Sequence, residues 1–402
     1  MKALVLAGGR GASMTPFSAT RPNPMLPIAG KYAIDRTLAK LKEAGVNTVN
    51  LVVGHKSEVM REHLSSNHSS GVAINFIDQG NSQGIGKAIL KARDRFTPGE
   101  HFLLVYADTL TTSNIFSVIQ QSFGLHNEAT AAIALTSSGE KYGNVYLGQG
   151  MKITKLVEKP KKKEKLGNYV LAGVFVMPAS FFDHLDRAGG DMEKALKGLV
   201  RKGLLRASIW EDDWMDMAYP WDILRANKAI MDTWTNAKIH KSVVVRDSVI
   251  AGPVHIAEGV TIRGGAVLEG PSYIGPGTFI GHNVLIRPYT CIGANCVIGQ
   301  SAEIKNCSIF QGTTVGRLSF VGDSVIGEKA DLGALTMTIN RSINLNPISV
   351  TINRKKIETG FSKLGAFIGD GAVIGASNTI SMGAIIGAGK VIDHNISAPK
   401  SR

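Results

Sequence analysis

Two rhythms of apolar residues divide this chain. Up to about Trp234, short apolar runs at 3–7, 51–53, 73–77, 102–106 and 131–135 have the length and composition of buried strands. Between them, residues 33–44, 56–64 and 86–95 carry apolar positions at helical spacing. This alternation predicts an α/β domain with a parallel or mixed sheet, whose ligands gather at the carboxyl ends of the strands. The second rhythm has a period of six: Val244, Ile250, Ile256, Ile262, Leu268, Ile274, Ile280, Ile286, Ile292, Ile298, Ile304 and Phe310 follow without a gap. After a shift near 312–316 the period weakens, then resumes at Ile368, Ile374, Ile380, Ile386 and Ile392. Each repeat of six reads as one short strand and turn, three to a coil, with the apolar residue pointing inward: a parallel β-helix. Residues 338–364 break the period and carry Arg341, Arg354, Lys355, Lys356 and Lys363, which predicts a loop projecting from the coils. A helical stretch at 221–234 ends the first half, so the expected domains are 1–236 and 237–402.

Composition narrows the class. With 402 residues, 44% hydrophobic and 19% charged, the chain is long enough for two cores. No apolar run approaches the roughly 18 residues of a membrane span, and Met1-Lys2 leads straight into a strand, so no membrane and a cytoplasmic location are expected. The formal charge of +13 suits anionic nucleotides or acyl-coenzyme substrates as well as nucleic acid. Its densest run, Lys159 to Lys165, has no aromatic residues for stacking, so it reads as a solvated loop and no nucleic-acid partner is expected. Cys291, Cys296 and Cys307 lack metal-ligand spacing with histidine and read as small buried hydrophobes.

The chemistry is concentrated near the start. A strand running into Gly8, Gly9 and Gly11 is a recurrent way to present backbone N–H groups to phosphate oxygens, although the glycines alone leave an ordinary turn open. Downstream, Arg21-Pro-Asn-Pro-Met-Leu-Pro27 and then Gly30-Lys31 form a proline-stiffened segment. Leu6 to Pro16 and Arg21 to Lys31 together resemble the signature of sugar-1-phosphate nucleotidyltransferases, approximately LAGGxGTRLxPLT...RPKPMLPV.GKP. Ser13 and Asn23 stand where that signature has an arginine and a lysine. Those cations are expected to hold triphosphate and sugar phosphate.

The resemblance continues along the chain. It implies nucleotide binding by Leu6, Gly8, Gly9 and Gly11, with Arg21 retained as a catalytic cation and Arg10 and Lys31 as further cations near in sequence. Asp108, at a strand end, and Asp216, in WMDMAYP, correspond to magnesium-binding aspartates. Ala107 and Ala218 replace glycines in these motifs, so their methyl groups are expected to crowd the approach. Gln79 and Gly84 match a base-reading segment, in which Ile85 is the apolar choice of thymidylyltransferase-like members. Gly143, Glu158, Lys159 and Gly173 match the sugar-phosphate elements, with Glu158 accepting from sugar hydroxyls and Lys159 binding the phosphate as a catalytic residue.

In the second half, Gly312 to Gly327 resembles the N-acetyltransferase of archaeal-type bifunctional proteins, which implies a left-handed β-helix. Arg317 and Phe320 stand where that motif has histidine and tyrosine. Because arginine stays protonated, Arg317 cannot act as the base, which argues against acetyl transfer; His282 and His394 read as surface residues. The implied fold is a Rossmann-like nucleotidyltransferase domain followed by a left-handed parallel β-helix of hexapeptide repeats. The implied reaction transfers a nucleotidyl group from a nucleoside triphosphate to a sugar 1-phosphate, with Mg2+ and release of pyrophosphate. The alternative is a catalytically impaired regulatory or scaffold paralogue that binds nucleotide or sugar nucleotide. Expected assemblies are a homo-oligomer through trimer-type β-helix contacts or a hetero-oligomer with an active homologue.

Overall fold

A computed structural model describes residues 1–66, 71–81, 83–136, 139–160 and 167–395. Most of the lysine run after Lys159 lies outside them. The chain forms two compact units: Met1–Arg10 with Pro22–Met25 and Ala33–Asp216, and Gly11–Arg21 with Leu26–Tyr32 and Met217–Arg402. Among the described residues no helix is long and apolar enough to cross a membrane.

The first unit is built on a nine-stranded mixed sheet. Strands Ala73–Asp78, Thr48–Val53, Lys2–Ala7 and His101–Tyr106 run parallel in that order. Tyr169–Pro178 then pairs antiparallel with His101–Tyr106. Each of the five strands expected from the sequence is present. In four of them the central residues are fully buried, which is why they read as continuous apolar runs, whereas Ala73–Asp78 lies at the sheet edge and buries only Ile77. Helix Ala33–Glu43 follows from its pattern: Ile34, Thr37, Leu38 and Leu41 are buried, Asp35 lies in the first turn, and Lys40 and Lys42 in the last. The expected helix at 86–95 is shorter, Ile85–Leu90 followed by a 3-10 turn Arg93–Arg95. Phe96, Phe102 and Phe182 stack in the core below it, with centroids 4.5–5.8 Å apart.

The second unit is a left-handed parallel β-helix with three all-parallel sheets. Ile256 to Ile304 follow the six-residue period into the core. Three details depart from expectation. Val244 is 46% exposed, and its neighbour Val243 packs against the core instead. Phe310 is buried outside the coil, 5.3 Å from Phe17, while Ile309 takes the inward place. The period is also reset rather than weakened. Cys291 pairs with Ser308 and Ser308 with Val325, each seventeen residues on, so the period shifts by one residue twice: Ile309, Val315 and Val321 point inward in one new phase, Ile326 and Leu332 in the next. Pairing with the coil below sets which residue faces in, and dropping one turn residue shifts all that follow. The expected projecting loop contains an antiparallel hairpin, Ser349–Ile352 with Lys355–Glu358.

Along the later part of the chain the compact units part at 216/217, before the expected domain boundary at 236/237. Helix Asp222–Asp232 belongs to the β-helix unit because its partners are there. Asn227 Oδ1 accepts from Ala29 N at 2.7 Å, Arg225 Nη2 donates to the Thr359 carbonyl at 2.7 Å, and Arg225 stacks on Phe361. Residues 11–21 and 26–32 join the same unit, with Gly30 pressed on Tyr273. A Cβ there would come 2.5 Å from the ring. Cys296 and Cys307 are buried as expected; each thiol donates to a carbonyl at 3.1 Å, and burial pushes them up to about 11 and about 12.

Candidate functional site

Two cavities open at the carboxyl ends of the parallel strands, and Gly84 lines both. The first, of 900 Å³, is formed by the loop after Lys2–Ala7 and the ends of Thr48–Val53 and Ala73–Asp78. Gly8, Gly9, Arg10, His55 and Gln79 line it. Gly8 has no room for a side chain: a Cβ there would collide with the Gln79 amide, and one on Gly54 would come within 2.6 Å of the Gly8 carbonyl. A Cβ on Gly9 would meet nothing within 4 Å. Packing therefore accounts for Gly8, whereas at Gly9 the lack of a side chain leaves open space beside the backbone.

The second cavity, of 680 Å³, gathers Asp108, Asp216, Glu158, Lys159, Gly143 and Gly173. Asp108 follows strand His101–Tyr106, and Asp216 lies opposite Thr109 in the antiparallel pair Trp214–Asp216 with Thr109–Thr111. Two bonds tie this pair down at one atom. The Thr109 hydroxyl and the Trp214 indole N–H both donate to the Ala172 carbonyl, at 3.3 and 3.0 Å. The next residue, Gly173, has φ +76, and a Cβ on it would lie 2.7 Å from Thr109 Oγ1. A Cβ on Gly143 would similarly come 2.7 Å from Glu158 Oε2. Ala107 is fully buried and is not among the residues lining the cavity. Ala218 belongs to the other unit, its N–H bonded to Asp222.

Burial raises the Asp108 carboxyl above its ordinary value. Burial also raises Glu158, with Glu193 adding to the effect and Lys159 and Lys197 opposing it. Burial, then the charges of Asp108 and Glu158, raise the Tyr106 hydroxyl, which stays neutral. The Asp108 carboxyl is thus poorly solvated while lining open space, a setting that favours a cation. Among the described residues no three His, Cys, Asp or Glu side chains form a metal cluster.

Three expected site residues lie elsewhere. Leu6 is inside its strand, its carbonyl accepting from Ala107 N at 3.1 Å. Gly11 belongs to the β-helix unit, its carbonyl accepting from Met14 N at 2.8 Å. Arg21, expected as a catalytic cation, has a side chain only 7% exposed. Its Nη2 pairs with Glu328 at 2.8 Å and with Asp370, and its guanidinium lies 5.3 Å from the Phe310 ring centre. Burial lowers its pKa, and the two carboxylates outweigh that and raise it. These partners give Arg21 a structural task, and its surroundings offer no support for phosphate handling.

The cavities also include residues not singled out in the sequence. Asp191 caps helix Met192–Arg201 by accepting from Lys194 N at 3.0 Å, which brings Asp191 and Glu193 to the wall of the second cavity. An Asp followed by a helical pattern was the available signal. His55 follows the end of Thr48–Val53, where the strand-end rule points. In the β-helix, Arg317 is exposed and the Asn340 amide donates to Asp323 Oδ2 at 2.6 Å. His282 and His394 are exposed as expected.

Comparison with known proteins agrees with this layout. The family model described as nucleotidyl transferase matches residues 2–233, and that described as GMPPB C-terminal domain matches 268–359. The chain is 34% identical to the bifunctional protein GlmU of Methanococcus maripaludis, over 98% of this chain and 94% of that protein. It is 32% identical to the bifunctional sugar-1-phosphate nucleotidylyltransferase/acetyltransferase of Sulfurisphaera tokodaii, over 96% and 94%. A solved UDP-glucose pyrophosphorylase complexed with UDP-glucose shares the fold, with TM-score 0.52 and 21% identity over 57% of this chain and 97% of that one. The UTP-bound UGPase of Acinetobacter baumannii does too, at TM-score 0.51 and 18% identity over 56% and 92%. The nucleotidyl transferase sheet and the hexapeptide coils thus occur together with similarity over nearly the whole chain, and the chain belongs to the archaeal-type GlmU-like family of bifunctional sugar-1-phosphate nucleotidyltransferases/acetyltransferases.

Proposed function

We propose that this protein is a sugar-1-phosphate nucleotidyltransferase of sugar-nucleotide biosynthesis. The observation that carries this reading is the convergence of Asp108, Asp216, Glu158 and Lys159 on one cavity that shares Gly84 with the cavity of Gly8, Gly9 and Gln79. Gln79 and Gly84 would read the base, and the backbone at Gly8 and Gly9 would lie along the nucleotide. Glu158 would accept from sugar hydroxyls, and Lys159, with its side chain 71% exposed, has the freedom to meet the sugar phosphate. The sugar-phosphate oxygen attacks the α-phosphorus in line, the bond to the β-phosphate oxygen breaks, and its electron pair leaves on pyrophosphate.

The donor set at Asp108 and Asp216 suits Mg2+, which commonly takes one or two carboxylates and completes its shell with water and substrate phosphates. Bound there, it would neutralise charge on the reacting phosphates. Ser13 and Asn23 withhold two expected cations. Losing a preorganised donor of this kind costs on the order of 10²- to 10³-fold in rate, which keeps a binding-only paralogue as the second reading. Arg317 gives no support to acetyl transfer in the β-helix.

Assembly through the β-helix is part of the proposal. Leu318 and Leu335 are about half exposed on successive coils, and Phe320 is paired with the exposed Met337 one coil on in the same sheet. This is an apolar face suited to a second copy. The reaction is tested by incubating the protein with Mg2+, each nucleoside triphosphate and a panel of sugar 1-phosphates, and following pyrophosphate. Turnover excludes the binding-only reading. Absent turnover with retained binding of sugar nucleotides, measured by calorimetry, selects it; absence of both refutes each.

A further inference from the structure

The two lysines in the last turn of helix Ala33–Glu43 behave differently. Lys42 is exposed and donates to Asn47 Oδ1 at 2.9 Å. Lys40 turns toward the loop that follows strand Thr109–Thr111, inside the same compact unit. Its Nζ donates to the carbonyls of Thr111, Thr112 and Ser113, the last two at 3.0 and 2.9 Å. Three carbonyls thus meet the three donors of one ammonium. The loop is also folded on itself, with the Thr111 hydroxyl donating to the Ser113 carbonyl at 2.8 Å. Asn114 closes the junction from the other side. Its amide donates to the Lys40 carbonyl at 2.8 Å, while its Oδ1 accepts from Phe116 N and Ser117 N at 3.1 and 3.3 Å and caps helix Ile115–His126.

Keeping an ammonium there is costly. Burial, then the charge of Arg36, lowers Lys40 to about 8, with Glu43 opposing. What Lys40 holds is the strand beside the second cavity. Thr109, Leu110 and Thr111 are buried, Asp108 directly precedes them, and Thr111 and Thr109 lie opposite Trp214 and Asp216. That antiparallel pair has only three registered positions, and a two-stranded ribbon has little stability of its own. Its placement therefore depends on its anchors. The Ala172 carbonyl receives Thr109 and Trp214, and Lys40 holds the Thr111 end.

We propose that Lys40 is a positioning residue for the metal site: by gathering the carbonyls of Thr111, Thr112 and Ser113 it fixes strand Thr109–Thr111, and through that strand the carboxylates of Asp108 and Asp216. This inference rests on the reading of those two aspartates as Mg2+ donors. Lys40 is not among the residues lining the cavity, so it acts through the strand and touches no ligand. Without its ammonium the three carbonyls lose a donor, and the loop must rearrange to find others. Mg2+ demands near-ideal octahedral geometry, so a displaced carboxylate binds it more weakly.

The test titrates the full chain with Mg2+ and reads two responses, the rise in melting temperature and the release of pyrophosphate. Lys40→Met keeps an apolar stem and removes the ammonium. It is expected to raise the Mg2+ concentration of half-effect about ten-fold or more in both readouts, the range found when a group supporting a metal ligand is lost. Lys42→Met, the control on the same turn, moves that concentration less than about two-fold. If Lys40→Met does not fold, Lys40→Gln is read the same way, because its amide can serve only two of the three carbonyls. A merely structural lysine would lower the melting temperature and leave the Mg2+ half-point in place; an unmoved half-point therefore overturns the inference alone. A wild type that responds to Mg2+ in neither readout overturns the metal reading and the inference together.

Discussion

Replacing Arg21 distinguishes a structural cation from a catalytic one. Its side chain is 7% exposed, and those of Glu328 and Asp370 are 21% and 12% exposed. Arg21→Met leaves two poorly solvated carboxylates facing each other without a counter-charge. Breaking a buried ion pair from one side typically costs about 3–5 kcal/mol, and lost packing on Phe310 acts in the same direction. Adding Asp370→Asn removes one of the stranded charges, so the double variant is less destabilised than the separate effects predict, with a coupling of about 1–3 kcal/mol. Equilibrium urea unfolding followed by tryptophan fluorescence reads this, since Trp221 packs 6.0 Å from Phe367 in the same unit. A cost below about 1 kcal/mol for Arg21→Met, or effects additive within about 0.5 kcal/mol, refutes the structural assignment. An Arg21→Lys variant of unchanged stability whose turnover falls on the order of 10²-fold would return Arg21 to the phosphates.

Other outcomes follow from the same geometry. Gly8→Ala must displace the Gln79 side chain and is expected to lower the melting temperature, whereas Gly9→Ala leaves the melting temperature unchanged and weakens nucleotide binding; similar effects of the two on stability would refute this distinction. Because burial raises Asp108, the folded state holds its proton more tightly than the unfolded chain. Stability from this group is therefore full below the ordinary aspartate range of roughly 4 and is lost as pH rises through the raised value. Added Mg2+ should raise the melting temperature above that window and do so less as pH falls through it, and Asp108→Asn should raise the melting temperature of the metal-free protein and abolish the Mg2+ effect; a Mg2+ shift independent of pH would contradict this. Leu318→Lys with Leu335→Lys should shift the assembly to a smaller species by light scattering without unfolding the coils, and an unchanged mass would move the interface elsewhere.

Local pattern made much of the architecture legible. Buried parallel strands read as apolar runs because both faces are covered, and the coils read as a period of six because each turn returns one side chain to the axis. The signature from Leu6 to Lys31 likewise pointed to nucleotide chemistry, and the strand-end placement of Asp108 to a ligand crevice. Non-local partners decided the rest. The six-residue period could not reveal that Ile309 rather than Phe310 turns inward, because the phase is set by pairing with a coil seventeen residues away. Ala107 precedes Asp108 directly in sequence, yet it is fully buried and Asp108 alone of the two lines the cavity. Arg21 sits in the stretch that resembles a nucleotidyltransferase signature, yet its carboxylate partners are Glu328 and Asp370, more than 300 residues along the chain. The sequence alone determined the two folds and the class of chemistry, because local side-chain periodicity and motif spacing encode both. Only the tertiary structure decided which cations remain available to a ligand, because a charge is committed by whatever packs against it.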